Sequence, residues 1–130
     1  MGTGLTMDPI LDGYLEARTL SASGDYTPQT QRATVTVTGT VQAHAVENLT
    51  VRLVLAAQGC AKHGPQGEPE NAIAATTLRL RDPAGNETLA YSGTLSGTVP
   101  LGSMYSVYVR PAAENVIGPI FGQCREFRAV

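Results

Sequence analysis

The residues with the richest chemistry lie in one short stretch, QGCAKHGPQGEPE, residues 58–70. This stretch contains Cys60, His63, Glu68 and Glu70. Thiolate, imidazole and carboxylate groups are common ligands of zinc, and a cysteine near a histidine can act as a nucleophile with its base. The stretch therefore raises three alternatives, which are a metal site, a catalytic loop and a loop held in place by a covalent bond.

A metal site would join His44 and His63, with Cys60 and a glutamate as further ligands. The chain has only two histidines. The first lies on the polar face of a predicted strand and the second in a predicted loop, so they meet only if that loop folds back over the sheet. Catalytic zinc usually takes three protein ligands, and copper sites in secreted sandwich enzymes use more histidines than this chain has. We expect no cofactor, and a small metal-dependent envelope enzyme using His44 and His63 is the alternative.

Nucleophilic and calcium sites have weaker signals. The segment GTLSG, residues 93–97, does not match GxSxG, and no helix follows it. Asp82, Asn86 and Glu87 could offer oxygens to calcium, but DPAGN at residues 82–86 predicts a tight turn in which Asp82 caps its own backbone. We therefore predict no catalytic residue.

Cys60 and Cys124 are the only cysteines of the chain, and they share no CxxC spacing. They can form a disulfide, remain two buried thiols, or supply half of a metal site. A threonine-rich, aromatic-poor β chain of this size is typical of secreted proteins, so we predict the disulfide. In the chain-entropy model, closing a loop of about 65 residues stabilises the fold by about 4 kcal/mol.

The elements that must position these residues are strands. In QRATVTVTGTVQAHA, residues 31–45, small or apolar residues alternate with polar ones without a break. This period of two predicts a β-strand, or one bent at Gly39, with one buried and one solvated face. The run NLTVRLVLA, residues 48–56, repeats the pattern, and we predict that the two runs form an antiparallel hairpin. TTLRLR, residues 76–81, and MYSVYVR, residues 104–110, alternate in the same way.

Glycine and proline divide the rest of the chain. Residues 59–72 and 111–123 read as long loops, and further strands are predicted at residues 14–22, in ETLAYSG, in TLSGTV and in the closing CREFRAV. Many short strands joined by such turns favour an all-β fold, a single antiparallel β-sandwich of seven to eight strands. At 130 residues the chain fits one domain, which we place at residues 14–130.

The segment VPLGSMYSVYVRPAAENVIGP, residues 99–119, resembles the corner and penultimate strand of fibronectin type III and related immunoglobulin-like domains. The resemblance implies a Greek-key sandwich in which Tyr105 is the corner tyrosine, whose hydroxyl bonds back to the backbone. The chain departs from that family in having no tryptophan. The positions that follow the family pattern are Leu101, Tyr105, Val107, Val109, Ala112, Asn115 and Gly118.

A second segment, TTLRLRDPAGNETLAYSG, residues 76–93, resembles the jelly-roll domain at the C-terminal ends of secreted bacterial peptidases. Both resemblances imply an accessory, extracytoplasmic β-domain that binds or spaces and does not catalyse.

Charge and hydropathy limit the classes of partner that the chain can have. The net charge of −2 comes from scattered residues, so no basic stripe for nucleic acid is visible. No apolar run approaches the roughly 20 residues that span a bilayer. The start Met1–Gly4 resembles a processed bacterial lipoprotein with methionine in place of the lipidated cysteine. We therefore expect residues 1–13 to be a linker, and contact with a membrane only through a lipid anchor.

The loop at residues 111–123 carries Val116, Ile117, Ile120 and Phe121, an apolar density that a surface loop does not need. It either caps the sandwich or forms a contact patch. We expect a structural or protein-binding module of the bacterial cell envelope that binds a protein partner or a second copy of itself. A carbohydrate-binding module is a further alternative, with aromatic candidates at Tyr14, Tyr26, Tyr91 and Tyr108.

Overall fold

A computed structural model of the protein describes residues 14–60, 71–85, 87–113 and 120–130, with the backbone alone described at Tyr14, Ile120 and Phe121. The described residues form eight strands and no helix. In chain order the strands are β1 Tyr14–Thr27, β2 Arg32–His44, β3 Asn48–Ala56, β4 Ala72–Arg81, β5 Thr88–Thr98, β6 Met104–Ala112, β7 Ile120–Phe121 and β8 Gln123–Arg128.

The strands form two sheets. Sheet I has the order β5-β2-β1-β7, and sheet II has the order β4-β3-β6-β8. The pairings are antiparallel, except that the two residues of β7 run parallel to β1. The predicted fold class, an antiparallel β-sandwich of seven to eight strands, is confirmed. The chain passes between the two sheets repeatedly, an arrangement consistent with an immunoglobulin-like fold.

The alternation read in β2 sets its two faces. Val35, Val37 and Val41 are fully buried, whereas Thr36 and Thr38 are exposed. The same alternation in β3 and β6 directs Val51, Leu53, Val107 and Val109 inward. Because both sheets present an apolar face, packing them together forms one continuous core. Its largest fully buried side chains are Tyr105, Leu15, Leu53, Leu55, Val35, Val37, Val41, Val51, Val54, Val99, Val107 and Val109.

The predicted hairpin between β2 and β3 is wrong, because these strands belong to different sheets. The link between them turns at Ala45, whose φ of 60° is left-handed, and Val46 is buried at 5% exposure. Hydrogen bonds to the turn after β4 hold the link, with Ala45 N donating to Gly85 O and Asp82 N donating to Glu47 O. Each of the two strands has one apolar face. Because the link carries the chain from sheet I to sheet II, the apolar face of β2 and that of β3 are buried against one another.

Other strand limits also differ from the expectation, since β4 begins at Ala72 and β7 lies within the predicted loop at residues 111–123. Strand β1 continues to Thr27, beyond residues 14–22, because it pairs with β2 along its whole length. The two strands predicted in ETLAYSG and TLSGTV are a single strand, β5. Gly93 is not a turn residue there. A Cβ at Gly93 would lie 2.6 Å from Leu53 Cδ1, so the glycine makes room for a core leucine of the facing sheet.

Candidate functional site

Cys60 and Cys124 form a disulfide bond, which confirms the predicted pairing. It joins the segment that follows β3 to strand β8, and the two Cα atoms are 5.9 Å apart. Cys124 lies opposite Tyr108 of β6, on the outer face of sheet II. The bond therefore holds the chain after β3 against the outer face of this sheet.

Hydrogen bonds around the disulfide fix the start of the loop. Cys60 N donates to Glu126 Oε1 at 2.9 Å. The two ends of the loop also meet, since Asn71 N donates to Gln58 Oε1 at 3.0 Å and Ala57 N donates to Asn71 O at 3.0 Å. The root of the loop is thus secured by one covalent bond and three hydrogen bonds. His63, Glu68 and Glu70 lie outside the described residues.

Beside the disulfide, the outer face of sheet II is unusually buried. Val54, Ala56 and Ser106 are fully buried, and Tyr108 is 6% exposed, although all four point away from the core. Among the described residues, the hydroxyl of Ser106 finds no hydrogen-bond partner. An outward face is normally solvated, so this end of the sheet is a covered surface.

The described residues offer few ligands for the alternative of a metal site. His44 is exposed at the end of β2 and lies opposite Tyr14 in the register, while His63 lies outside the described residues. Within residues 14–60, 71–85, 87–113 and 120–130, no group of three or more histidine, cysteine, aspartate or glutamate side chains could hold a metal ion. Cys60 is excluded as a thiolate ligand in this oxidised state, because its sulfur is bonded to Cys124.

Residues 82–85 form the turn predicted from DPAGN, and Asp82 caps it. The carboxylate is fully buried, with Oδ1 accepting from Gly85 N at 3.0 Å and Oδ2 accepting from Glu87 N at 2.6 Å. Gly85 has a φ of 73°, which favours glycine. Both carboxylate oxygens are thus used by the backbone, as expected of an aspartate at the start of a turn. Asn86 lies outside the described residues.

The resemblance implies a tyrosine corner at Tyr105. Among the described residues, Tyr26 is one of the tyrosines whose hydroxyl bonds to a distant backbone carbonyl, and it donates to Val99 O at 2.7 Å. The Tyr105 ring stacks between Tyr26 and Phe127, at centroid distances of 6.3 and 5.3 Å. A Cβ at Gly24 would lie 2.7 Å from the Tyr105 hydroxyl, so glycine gives that ring its room. The corner role that the resemblance implies for Tyr105 stays a prediction.

The described tyrosines do not form an exposed aromatic platform for sugars. Tyr26 is half-buried, and Tyr91 and Tyr108 are 5% and 6% exposed. Burial raises the pKa of Tyr91 to about 12, against a smaller opposing effect of Arg125, and its hydroxyl donates to Thr19 O at 3.2 Å. Burial also raises the pKa of Tyr105. The structure describes only the backbone of Tyr14.

The predicted contact loop is described only in part. Val116 and Ile117 lie outside the described residues. The backbone of Ile120 and Phe121 forms β7, which pairs with Leu15 and Glu16 of β1. The end of this loop is therefore tied to the edge of sheet I.

The sequence did not reveal a cluster of arginines on the outer face of sheet II. Arg52 of β3 lies directly opposite Arg110 of β6, and Arg79 of β4 lies opposite Thr50, two residues from Arg52. The outward positions were readable from the alternation in TTLRLR and MYSVYVR. The cluster was not, because the sequence does not say which strands are neighbours.

The disulfide also bears on the compartment. Such bonds persist in oxidising environments, so this one is typical of extracytoplasmic proteins. None of the described residues form a helix that is long and apolar enough to cross a membrane.

Comparisons with known proteins bear on the fold. No protein-family model matches the sequence, and no curated protein matches it either. The β-glucuronidase 2 of Bacteroides uniformis is 15% identical with a TM-score of 0.59, covering 90% of this chain and 14% of that chain. A glycosyl hydrolase family 2 member from Bacteroides cellulosilyticus is 11% identical with a TM-score of 0.58, covering 94% and 16%. The β-glucuronidase of Parabacteroides merdae is 9% identical with a TM-score of 0.53, covering 88% and 13%.

The likeness is one of fold. Nearly all of this chain aligns with each of these structures, but it spans only about a seventh of the first one's length. The similarity therefore supports a sandwich of this shape and transfers no activity, because one fold serves many functions.

Proposed function

We propose that this chain is a non-catalytic structural and protein-binding module of the bacterial cell envelope. The observation that carries the proposal is the fold itself. The described residues build an apolar core between two sheets, and one disulfide secures a loop to the outside of that sandwich. Such an arrangement suits a rigid body that holds other protein parts in position.

The comparisons support a setting for this module. The similar solved structures are glycosidases that are much longer than this chain, and a sandwich of this shape is one part of each. By analogy, we propose that this module accompanies an extracytoplasmic enzyme or surface assembly and contacts its other parts. The loop that contains Val116 and Ile117 is the proposed contact segment.

The disulfide supports the extracytoplasmic location. A bond that closes a loop of this length stabilises a domain by about 4 kcal/mol, against a total stability of about 5–15 kcal/mol for typical domains. Such dependence is a disadvantage in a reducing cytosol. Attachment through a lipid at the N-terminal segment, residues 1–13, belongs to the same proposal.

Light scattering on the purified, oxidised chain, combined with chemical cross-linking in its native cell, tests the proposal. We expect a solution mass above that of one chain, or a cross-linked envelope protein. A monomeric mass with no cross-linked envelope protein contradicts the protein-binding role. Hydrolysis of nitrophenyl glycosides, including a β-glucuronide, would contradict the non-catalytic role, and stoichiometric zinc or copper would favour the metal-enzyme alternative.

A further inference from the structure

Strand β5 ends sheet I with a long free edge. It pairs with β2 over its full length, from Thr88 to Thr98, without a bulge. Among the described residues, no strand pairs with its other side, because β5 is the last strand of its sheet. A free edge presents a row of backbone N–H and C=O groups, and this row is a template for pairing with another strand.

The other free edges carry features that hinder such pairing, whereas β5 has none of them. Natural sheets protect their edges with charged side chains, proline, bulges or short strands. Strand β7 has two residues, β4 carries two arginines, and β8 carries two arginines and a glutamate. The free part of β1 has an irregular register after Ala17 and two charged residues, Arg18 and Asp25. In contrast, the eleven residues of β5, TLAYSGTLSGT, contain no charged residue and no proline.

The outer face of β5 carries groups that suit an added strand. Ser92 and Thr94 are exposed there, while Leu95 between the next positions is buried in the core. This face already joins its strands through hydroxyl groups, since Thr34 Oγ1 of β2 lies 2.9 Å from Ser96 Oγ of β5. Serine and threonine side chains that lie opposite one another on antiparallel strands stabilise the pair. A further strand with hydroxyl groups would extend the same pattern.

The sequence of β5 is complementary to itself. In an antiparallel pair centred on Gly93, Tyr91 faces Leu95 of a second copy, and Ser92 faces Thr94 of that copy. Core-facing apolar residues then lie opposite apolar ones and hydroxyls opposite hydroxyls, and all eleven residues are paired. Because the strand has no charge, pairing with itself places no like charges opposite one another. The arrangement has two-fold symmetry, in which the same patch of both copies forms the contact.

An apolar side chain lies beside this edge. Ile73, near the start of β4, is 37% exposed. It packs on the core side of β5, because a Cβ at Gly97 would lie 2.7 Å from its Cδ1. In the pair centred on Gly93, Gly97 faces Leu89 of the second copy, so Ile73 and that leucine meet where the two edges join. A dimer therefore covers apolar surface that a single chain exposes.

We propose that the free edge of β5 joins two copies of this chain, so that sheet I of one copy continues into sheet I of the other. The two strands β5 run antiparallel and are centred on Gly93. This proposal rests on the protein-binding role and names a second copy of the chain as the partner. The surface is separate from the contact segment that contains Val116 and Ile117.

Light scattering of the oxidised chain over a range of concentrations measures the dimer. The Ser92→Lys/Thr94→Lys variant places lysines directly opposite lysines across the two-fold axis, so we expect the Kd of the dimer to rise at least about tenfold. Ser92→Glu/Thr94→Glu should fail to dimerise for the same reason. Mixing the two variants should restore a dimer, because each lysine then faces a glutamate.

Ser21→Lys/Ser23→Lys is the matched control. These exposed serines of β1 lie in the same rows as Ser92 and Thr94, on the far side of β2. The control adds the same charge to the same face of the sheet away from the edge of β5, so we expect it to leave the dimer unchanged. Thermal melting verifies that each variant is folded.

A wild-type chain that stays monomeric at every concentration would overturn the proposal. If that monomer still cross-links to an envelope protein in its native cell, the protein-binding role stands and only the second copy is wrong as its partner. A dimer that persists in Ser92→Lys/Thr94→Lys, or that Ser21→Lys/Ser23→Lys weakens equally, would place the contact elsewhere. A mixture of the lysine and glutamate variants that remains monomeric would contradict the pairing centred on Gly93.

Discussion

The backbone amide of Cys60 donates a hydrogen bond of 2.9 Å to Oε1 of Glu126, two residues beyond the disulfide partner of Cys60. The covalent bond and the hydrogen bond hold the same segment against the same strand, so their contributions should not be independent. A hydrogen bond to a group that is already held in place costs little conformational entropy to form. The disulfide therefore strengthens the bond to Glu126.

We expect the Cys60→Ser/Cys124→Ser variant to lose up to about 4 kcal/mol in free energy of unfolding. In the oxidised protein, Glu126→Ala should cost about 0.5–1.5 kcal/mol, and in the cysteine-free variant it should cost less. Urea unfolding of the four proteins in this double-mutant cycle measures the coupling. Additive costs would mean that the two bonds act independently.

The buried cap at Asp82 should be a major local determinant of stability. Asp82→Ala leaves Gly85 N and Glu87 N without their acceptor, so we expect a loss of about 1–3 kcal/mol in free energy of unfolding. Asp25→Ala is the control, because Asp25 is an exposed aspartate on β1 and its loss should change stability by no more than about 0.5 kcal/mol. Equal effects of the two variants, measured by chemical denaturation, would argue against the cap.

Gly39 should not tolerate a side chain. A Cβ there would collide with the Thr19 carbonyl and the Tyr91 ring, so Gly39→Ala should destabilise the fold by about 1–3 kcal/mol. Gly97→Ala is the matched glycine control in the same sheet. Its Cβ would meet the side chain of Ile73, with Cδ1 at 2.7 Å and Cγ1 at 3.0 Å, and this exposed side chain can move away more readily than a backbone carbonyl or a buried ring. Thermal melting should separate the two variants, and similar melting temperatures would contradict this account of Gly39.

Tyr91 should make stability depend on alkaline pH. Burial raises its pKa from 10.0 to about 12, so the folded protein favours the neutral phenol. The stabilising contribution is fully present below pH 10 and is lost as the pH rises from about 10 to about 12. Urea midpoints measured across this range should fall less steeply in Tyr91→Phe than in the wild type. Parallel curves for the two proteins would refute the assignment.

Period-two alternation was sufficient to predict the strands and their buried faces. The buried valines of β2 and β6 lie where the sequence placed them, because the side chains of a strand alternate between its two faces. The disulfide was also predictable, since only two cysteines were present. These features depend on residues close in sequence or on a choice among few partners.

Strand neighbours were not predictable in the same way. The pairing of β2 with β3 was wrong because alternation does not specify whether two adjacent strands share a sheet or face one another. The cluster of arginines on sheet II was invisible for the same reason, since Arg52 and Arg110 become neighbours only through the pairing of β3 with β6.

The most direct test of an extracytoplasmic, disulfide-secured module is the state of its two cysteines in the native cell. Protein isolated with an alkylating reagent present, and without reductant, should carry no label on Cys60 or Cys124 by mass spectrometry. Both residues should become labelled after reduction, and the melting temperature should fall at the same time. Complete labelling of both thiols before reduction would contradict the account.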